Sequence, residues 1–148
     1  NLVRWKFGEL IKTLVTMRST AEKQIEIIGA GIATDEMAED LHTYYILSQK
    51  QFLDFELLSE DAICKLDELN EFLDNRSGDK APEFWDDLHL ATNKDWEIVR
   101  VMANEILTLI KMNDLDLKFE RTERYETTDK GKRLTIQTTK SRLVRKNE

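Results

Sequence analysis

The chain of 148 residues has 41% hydrophobic residues, one proline and five glycines, a composition typical of a single domain built from long helices. Its net charge of −7 is unevenly distributed, because residues 130–148 carry seven basic groups and one acidic group, whereas the rest carries 15 basic and 28 acidic groups. The sequence contains no run of 18 apolar residues, so it predicts no membrane span. Its single cysteine excludes an internal disulfide and a cysteine-based zinc site.

The first predicted helix covers residues 2–28 and is marked by apolar residues at spacings of three and four. These residues are Val3, Phe7, Leu10, Leu14, Met17, Ala21, Ile25 and Ile28. Gly29 and Gly31 follow, and glycine readily takes the left-handed conformation that ends many helices. We therefore expect one long helix that stops at Gly29.

The second predicted helix covers residues 35–58, with Thr34 as its N-cap. Its main apolar face consists of Met37, Leu41, Tyr44, Tyr45, Phe52 and Phe55. A thinner apolar strip on the other side contains Ile46, Leu53 and Leu57. A helix that is apolar on two sides is either sandwiched within its own domain or in contact with another chain. This strip is therefore either covered within the domain or the contact of a homo-dimer.

The third predicted helix begins after Ser59 and continues to about residue 74. Its inward positions are apolar, namely Ala62, Leu66, Leu69 and Leu73. Its outer side is acidic, with Glu60, Asp67, Glu71 and Asp74 in a narrow angular range. A loop is expected over residues 75–81, where small and polar residues replace the helical pattern.

Pro82 fits the first turn of a short helix over residues 82–91, with Phe84 and Leu88 facing the core. The next helix, residues 93–112, has the widest apolar face of the chain. This face contains Trp96, Val99, Met102, Ala103, Ile106, Leu107, Leu109 and Ile110. A face of this width needs packing partners on more than one side, so we expect this helix to lie at the centre of the bundle.

After Asn113 the apolar period changes from 3.6 to 2, which predicts an antiparallel β-hairpin over residues 115–138. Asp129, Lys130 and Gly131 supply its turn. We expect its apolar side to lie on the bundle, with Leu134 and Ile136 pointing the same way. The basic residues 140–148 are expected to form a frayed tail.

These elements together predict a mainly α protein. One domain comprises a bundle over residues 2–112, built from four helices plus one short helix, and closed by the C-terminal antiparallel β-hairpin.

Two short motifs bear on metal chemistry, Glu39-x-x-His42 and Asp86-x-x-His89. A carboxylate and an imidazole three residues apart share a helix face, an arrangement that di-metal sites inside helical bundles use. Periodicity places both pairs opposite the core-facing residues of their helices, whereas such a site needs its ligands inside. The sequence therefore predicts no bound metal or cofactor, and a metal-dependent enzyme using His42 and His89 is an alternative only.

Other catalytic patterns are no stronger. Cys64 lies among carboxylates on the outer side of its helix, and neighbouring negative charge disfavours the reactive thiolate. The sequence contains no glycine-rich phosphate loop and no Gly-x-Ser-x-Gly motif. A non-enzymatic role is therefore favoured.

The strongest functional indication is an acidic stripe. It contains Glu60, Asp67, Glu71, Asp74, Asp79, Asp86 and Asp87. Such a surface keeps a helical protein soluble, and it also speeds association with a basic partner. We therefore predict a protein-interaction module that binds a basic protein, with an inhibitor or immunity-type role as one form of it. A homo-oligomeric structural protein is the second hypothesis.

Nucleic acid is an unlikely partner, because the basic tail lacks interleaved aromatic residues and the remainder of the chain repels phosphate. The single cysteine fits a reducing compartment and predicts a cytoplasmic location. The sequence begins at Asn1 rather than Met, which leaves open a signal or anchor upstream.

Overall fold

A computed structural model describes residues 1–146 of the chain. In this part of the chain, six α-helices precede one antiparallel β-hairpin. They are α1 (Leu2–Arg18), α2 (Ala21–Ile28), α3 (Ala33–Leu41), α4 (Gln49–Asp54), α5 (Glu60–Asp74), α6 (Lys94–Leu109), β1 (Leu115–Thr128) and β2 (Gly131–Arg145). The predicted fold class, a mainly helical bundle with a C-terminal hairpin, is confirmed.

Helix α1 lies at the centre of the bundle. Its buried residues cover most of its circumference: Val3, Phe7, Leu10, Ile11, Thr13, Leu14, Val15, Thr16 and Met17. It packs against α6 and α3, and also against α2, α4 and β1. The prediction that the helix over 93–112 is central was therefore wrong. Because α6 packs on α1 and α5 from one side, its outer residues Ile98, Val101 and Leu109 stay exposed.

The first predicted helix is interrupted at Ser19 and Thr20, which are extended. The Ser19 hydroxyl donates to the Val15 carbonyl at 2.7 Å, and the Thr20 hydroxyl accepts from the Lys23 amide at 3.2 Å. These side chains satisfy backbone groups that a continuous helix would otherwise pair. The apolar stripe continues across the break, so spacing alone did not reveal it.

The second predicted helix is also discontinuous. A π-helical turn, His42–Ile46, follows α3, and α4 begins after Ser48. A π-helical turn contains more residues than an α-helical turn. A single period of 3.6 residues therefore does not predict which residues of α3 and α4 lie on the same face. Tyr45 and Phe52 are buried as predicted, but Phe55 is 47% exposed.

Three 3₁₀ turns lie between residues 78 and 89, where the sequence predicted a loop over residues 75–81 and one short helix over residues 82–91. These turns are Gly78–Lys80, Pro82–Trp85 and Asp87–His89. Two indoles hold the segment, because Trp85 Nε1 donates to the Arg76 carbonyl at 2.5 Å and Trp96 Nε1 donates to the Phe84 carbonyl at 2.6 Å. The irregular path buries Leu90 and leaves Leu88 87% exposed, which corrects the predicted inward position of Leu88.

Strand β2 is longer than predicted, because it pairs with β1 as far as Arg145. The prediction of a frayed tail is therefore wrong for residues 140–145. The same prediction also covered Asn147 and Glu148, which lie outside the described residues. Val144 is buried and Leu143 is half-buried against the core. Lys12 Nζ also donates to the Ser141 carbonyl at 2.9 Å, which ties this end of β2 to α1.

A β-bulge divides the hairpin between Arg124 and Tyr125 of β1. Arg124 pairs with Ile136 and Tyr125 pairs with Leu134, so Thr135 is the extra residue. Paired residues share a face and successive residues alternate, which places Leu134 and Ile136 on opposite faces. The prediction that both point the same way was wrong because it assumed unbroken alternation.

The bulge divides the hairpin into two halves. The near half, residues 115–124 and 136–145, lies on the bundle, and the far half, residues 125–134, extends beyond it. Leu117 is buried, and Phe119 and Leu143 are half-buried, whereas Tyr125 and Leu134 are exposed. The expected packing of the apolar side on the bundle thus applies to the near half only.

Gly29 fixes where the hairpin meets the helices. It ends α2 with a φ of 73°, in the left-handed region. A side chain here would also meet Gln137 Oε1 at 2.6 Å and Arg121 Cζ at 2.7 Å. Arg121 donates to the Ile27 carbonyl at 2.8 Å, and the Ala30 amide donates to Gln137 Oε1 at 2.7 Å. Close backbone approach at Gly29 therefore permits these hairpin contacts.

The two halves of the hairpin are expected to respond differently to the same truncation. Leu117→Ala should lower the free energy of unfolding by about 2–3 kcal/mol, because it leaves a cavity against the core. Leu134→Ala is the matched control and should cost only about 0.5 kcal/mol, because solvent already reaches that side chain. Urea unfolding measures both values, and equal losses would contradict the division of the hairpin.

Candidate functional site

Helix α5 presents the most acidic exposed surface of the bundle. Ser59 caps its first turn by accepting from the Ala62 amide at 3.2 Å. The four residues predicted to face inward, Ala62, Leu66, Leu69 and Leu73, are all buried. Its opposite side exposes five carboxylates, which we call the α5 acidic face: Glu60, Asp61, Glu68, Glu71 and Asp74.

Few contacts neutralise this face. Lys65 lies 3.8 Å from Glu68, and both side chains are about half exposed. Asp74 accepts a long hydrogen bond of 3.4 Å from Asn70. Within residues 1–146, Glu60 and Glu71 form no ion pair and no side-chain hydrogen bond. Exposed carboxylates without intramolecular partners keep their charge available for an external one.

Asp67 was predicted to belong to this surface, but its carboxylate binds within the protein. Asp67 Oδ1 accepts from the Tyr45 hydroxyl at 2.6 Å and from Gln49 Nε2 at 2.7 Å. Tyr45 is fully buried, and burial, followed by its hydrogen bond to Asp67, raises the Tyr45 pKa. The Asp67 carboxylate thus satisfies a buried phenol and joins α5 to the π-helical turn.

Two of the other predicted acidic residues also have structural partners. Asp87 accepts from the Ala33 amide at 2.8 Å and from the Thr34 amide at 3.0 Å. It therefore caps α3 from a distant segment, whereas Thr34, the predicted cap, lies inside α3. Asp86 accepts from the Leu88 amide at 3.0 Å. Asp79 is exposed on a 3₁₀ turn.

The two histidines lie on different elements and both are exposed, His42 on the π-helical turn and His89 on the last 3₁₀ turn. His89 Nε2 is 3.9 Å from the Asp86 carboxylate. Among residues 1–146, no three histidine, cysteine or acidic side chains are placed to hold one metal ion. Cys64 is exposed on α5, as its helical phase predicted.

The predicted dimer strip is largely covered by the protein itself. Ile46 and Leu57 are half-buried and pack against the core, because the π-helical turn and the chain after α4 turn them inward. Leu53 is 39% exposed. Of the three residues predicted to form the strip, Leu53 alone is exposed, and one exposed leucine is ordinary on a protein surface.

A polar cleft that the sequence did not reveal lies between α1, α3 and the near half of the hairpin. Its volume is about 290 Å³. Three carboxylates line it, Glu9 from α1 and Glu36 and Asp40 from α3, together with the half-buried Tyr44. Burial, with repulsion from Glu36, Glu9 and Glu39, raises the pKa of Asp40 to about 6. The sequence shows that Glu36 and Asp40 share a helix face, but only tertiary packing brings Glu9 to them.

Comparison with models of known protein families, with curated proteins and with solved structures finds no match to this chain.

Across residues 1–146, none of the helices has both the length and the apolar character needed to cross a bilayer.

Removal of the Asp87 carboxylate should destabilise the fold. Asp87→Ala is expected to lower the free energy of unfolding by about 1–2 kcal/mol, because two amide groups at the start of α3 lose their acceptor. Asp79→Ala is the control and should change stability by less than about 0.5 kcal/mol. Denaturant titration distinguishes them, and similar values for both would exclude the capping role.

Asp40 should make stability depend on pH. Because its folded pKa lies above its unfolded value, the folded state binds the proton more tightly, and stability falls as the pH rises from about 4 to about 6. Asp40→Asn should therefore stabilise the protein above pH 7 by about 1 kcal/mol, a value reduced for solvent screening, and by nearly nothing below pH 4. Asp79→Asn is the control. A stabilisation that is the same at pH 4 and pH 8 would contradict this assignment.

Proposed function

We propose that this chain is a non-enzymatic interaction module that binds a basic protein through the α5 acidic face. One observation carries the proposal, namely that Glu60, Asp61 and Glu71 are exposed on α5 and have no acid-neutralising partner within residues 1–146. Structural roles occupy Asp67 and Asp87, so the binding surface is narrower than the predicted stripe.

The surrounding charge supports a basic partner. Residues 35–87 contain 16 acidic and four basic side chains, so the field around α5 is strongly negative. A field of this kind accelerates encounter with a positively charged surface and repels phosphate-rich nucleic acid. The α5 face is also backed by four buried apolar residues, which makes it a rigid surface.

Occlusion of a basic toxin or nuclease is one form that this function takes. A rigid acidic helix covers a basic active-site surface without chemistry of its own, and electrostatic steering gives rapid capture. This form of the proposal rests on charge complementarity, and a gene for a basic toxin or nuclease next to this one would support it.

Charge reversal on α5 tests the proposal. The native chain and a Glu60→Lys, Glu71→Lys, Asp74→Lys variant are immobilised and exposed to an extract of the native host at low salt, and bound proteins are identified by mass spectrometry. We expect a basic protein that the native chain retains, that salt elutes, and that the variant binds about 10–100-fold more weakly.

The matched control reverses three exposed carboxylates elsewhere, Glu22→Lys, Glu105→Lys and Asp129→Lys. It changes the net charge equally, so it separates a local contact from a general charge effect. Retention of the same proteins by the native chain and by the α5 variant would refute the proposal. Equal loss with the control would refute the assignment to α5.

A further inference from the structure

A groove of about 520 Å³ lies between α2 and the near half of the hairpin. Four basic residues line it: Lys23 from α2, and Lys118, Lys140 and Arg142 from the hairpin face opposite the one that buries Leu117. Two carboxylates, Glu26 and Glu120, also line it, which leaves a formal surplus of two positive charges. The residues expected to form a frayed basic tail thus contribute to a built surface.

The basic groups of this groove form no close ion pair within residues 1–146, although Glu120 lies directly across the strands from Lys140. Lys118, Lys140 and Arg142 are exposed and Lys23 is half-buried. Among residues 1–146, none of the four basic side chains has a carboxylate oxygen within 4.0 Å of its nitrogen atoms. Around one concave surface, basic groups without close ion-pair partners favour an anionic ligand.

The groove suits an acidic polypeptide better than a nucleic acid. Among residues 1–146, Phe119 is the one aromatic residue that lines it. Lys23 Nζ and Arg121 Cζ already lie 5.7 and 5.0 Å from the centroid of that ring, so base stacking on it is obstructed.

The spacing of the cations matches an acidic helix. Lys118 pairs directly with Arg142 across the strands, and Lys140 lies two residues before Arg142 on the same face. The backbone positions of neighbouring basic residues are therefore about 5–7 Å apart. Carboxylates three or four residues apart on a helix are separated by about 5–6 Å at their Cβ atoms. Glu68, Glu71 and Asp74 of the α5 acidic face have this spacing.

This acidic helix belongs to the same chain but does not meet the groove. Within residues 1–146, the hydrogen bonds that join the strands to the helices are made by α1, by the end of α2 and by the residue that follows its cap. We propose that the groove binds the α5 acidic face of a second copy of this chain. The contact is reciprocal if two copies close into a pair, and each copy then contributes one groove and one acidic helix.

The inference shares the α5 face with the proposed function, but its test uses this chain alone. Sedimentation equilibrium at 20 mM and 300 mM salt follows the mass of the full chain. We expect association with a dissociation constant on the order of 10⁻⁴ M at low salt, and at least about tenfold weaker at high salt, because exposed ion pairs are screened.

A charge exchange identifies the two surfaces. The groove variant Lys140→Glu, Arg142→Glu and the face variant Glu71→Lys, Asp74→Lys should each be monomeric at low salt. Their equimolar mixture should associate again, because each reversed surface then meets its complement. Reversal of Glu22 and Glu105 to lysine is the control, because neither residue lines the groove or belongs to the α5 acidic face, and it should leave association intact.

Three results would overturn the inference: a native chain that stays monomeric at low salt, association that survives both reversals, or failure of the mixture to associate. A fluorescent 12-nucleotide single strand is a competing probe. If it binds the native groove more tightly than the second copy does, and the groove variant abolishes that binding, the ligand is a nucleic acid and the inference fails. None of these results depends on a heterologous basic partner, so the proposed function stands or falls separately.

Discussion

The burial of helix α1 sets the positions of the elements around it. A helix that is buried around most of its circumference must be covered by several elements, and α1 contacts α2, α3, α4, α6 and β1. Its buried threonines fit because their hydroxyl groups donate to carbonyls of the same helix, Thr13 to Glu9 at 2.9 Å and Thr16 to Lys12 at 2.8 Å. No buried hydroxyl of α1 is therefore left without an acceptor, and polar residues do not limit its burial.

Long-range polar contacts then fix the irregular segments on this core. Arg100 is 8% exposed and donates to the Leu90 carbonyl at 2.7 Å and to Gln24 Oε1 at 3.2 Å, which joins α6 to α2 and to the 3₁₀ region. Asp87 caps α3 across a gap of more than 50 residues. Such contacts explain why residues 75–93 hold one path although they contain little regular structure.

The charges are separated along the same framework. The α5 acidic face lies on a helix that packs against α6 and α4, whereas the basic groove lies between α2 and the hairpin, which rests on α1. Each surface keeps exposed charged groups that form few close ion pairs within residues 1–146. The proposed binding of a basic partner and the proposed contact between copies both follow from this separation, and the far half of the hairpin takes part in neither.

The hydrophobic period predicted most of the helical segments and the start of the hairpin, because it is local information. It predicted the buried face of α5 and the change to strand after residue 113. The helix breaks at residues 19–20 and 42–48 escaped it, because side-chain capping and a π turn interrupt the backbone while the apolar spacing continues. Strand β2 reaches residue 145 despite its polar sequence, because it pairs along the whole length of the 14-residue strand β1.

For the candidate site, the sequence determined that α5 is acidic on its outer side and that His42, His89 and Cys64 lie outside the core. Only the tertiary structure decided which carboxylates remain free. Asp67 and Asp87 look like surface charges in the sequence, but residues distant along the chain supply a phenol and two amides that bind them. The same holds for Lys23, Lys118, Lys140 and Arg142, because a groove is made by the approach of separate elements, and no local pattern encodes that approach.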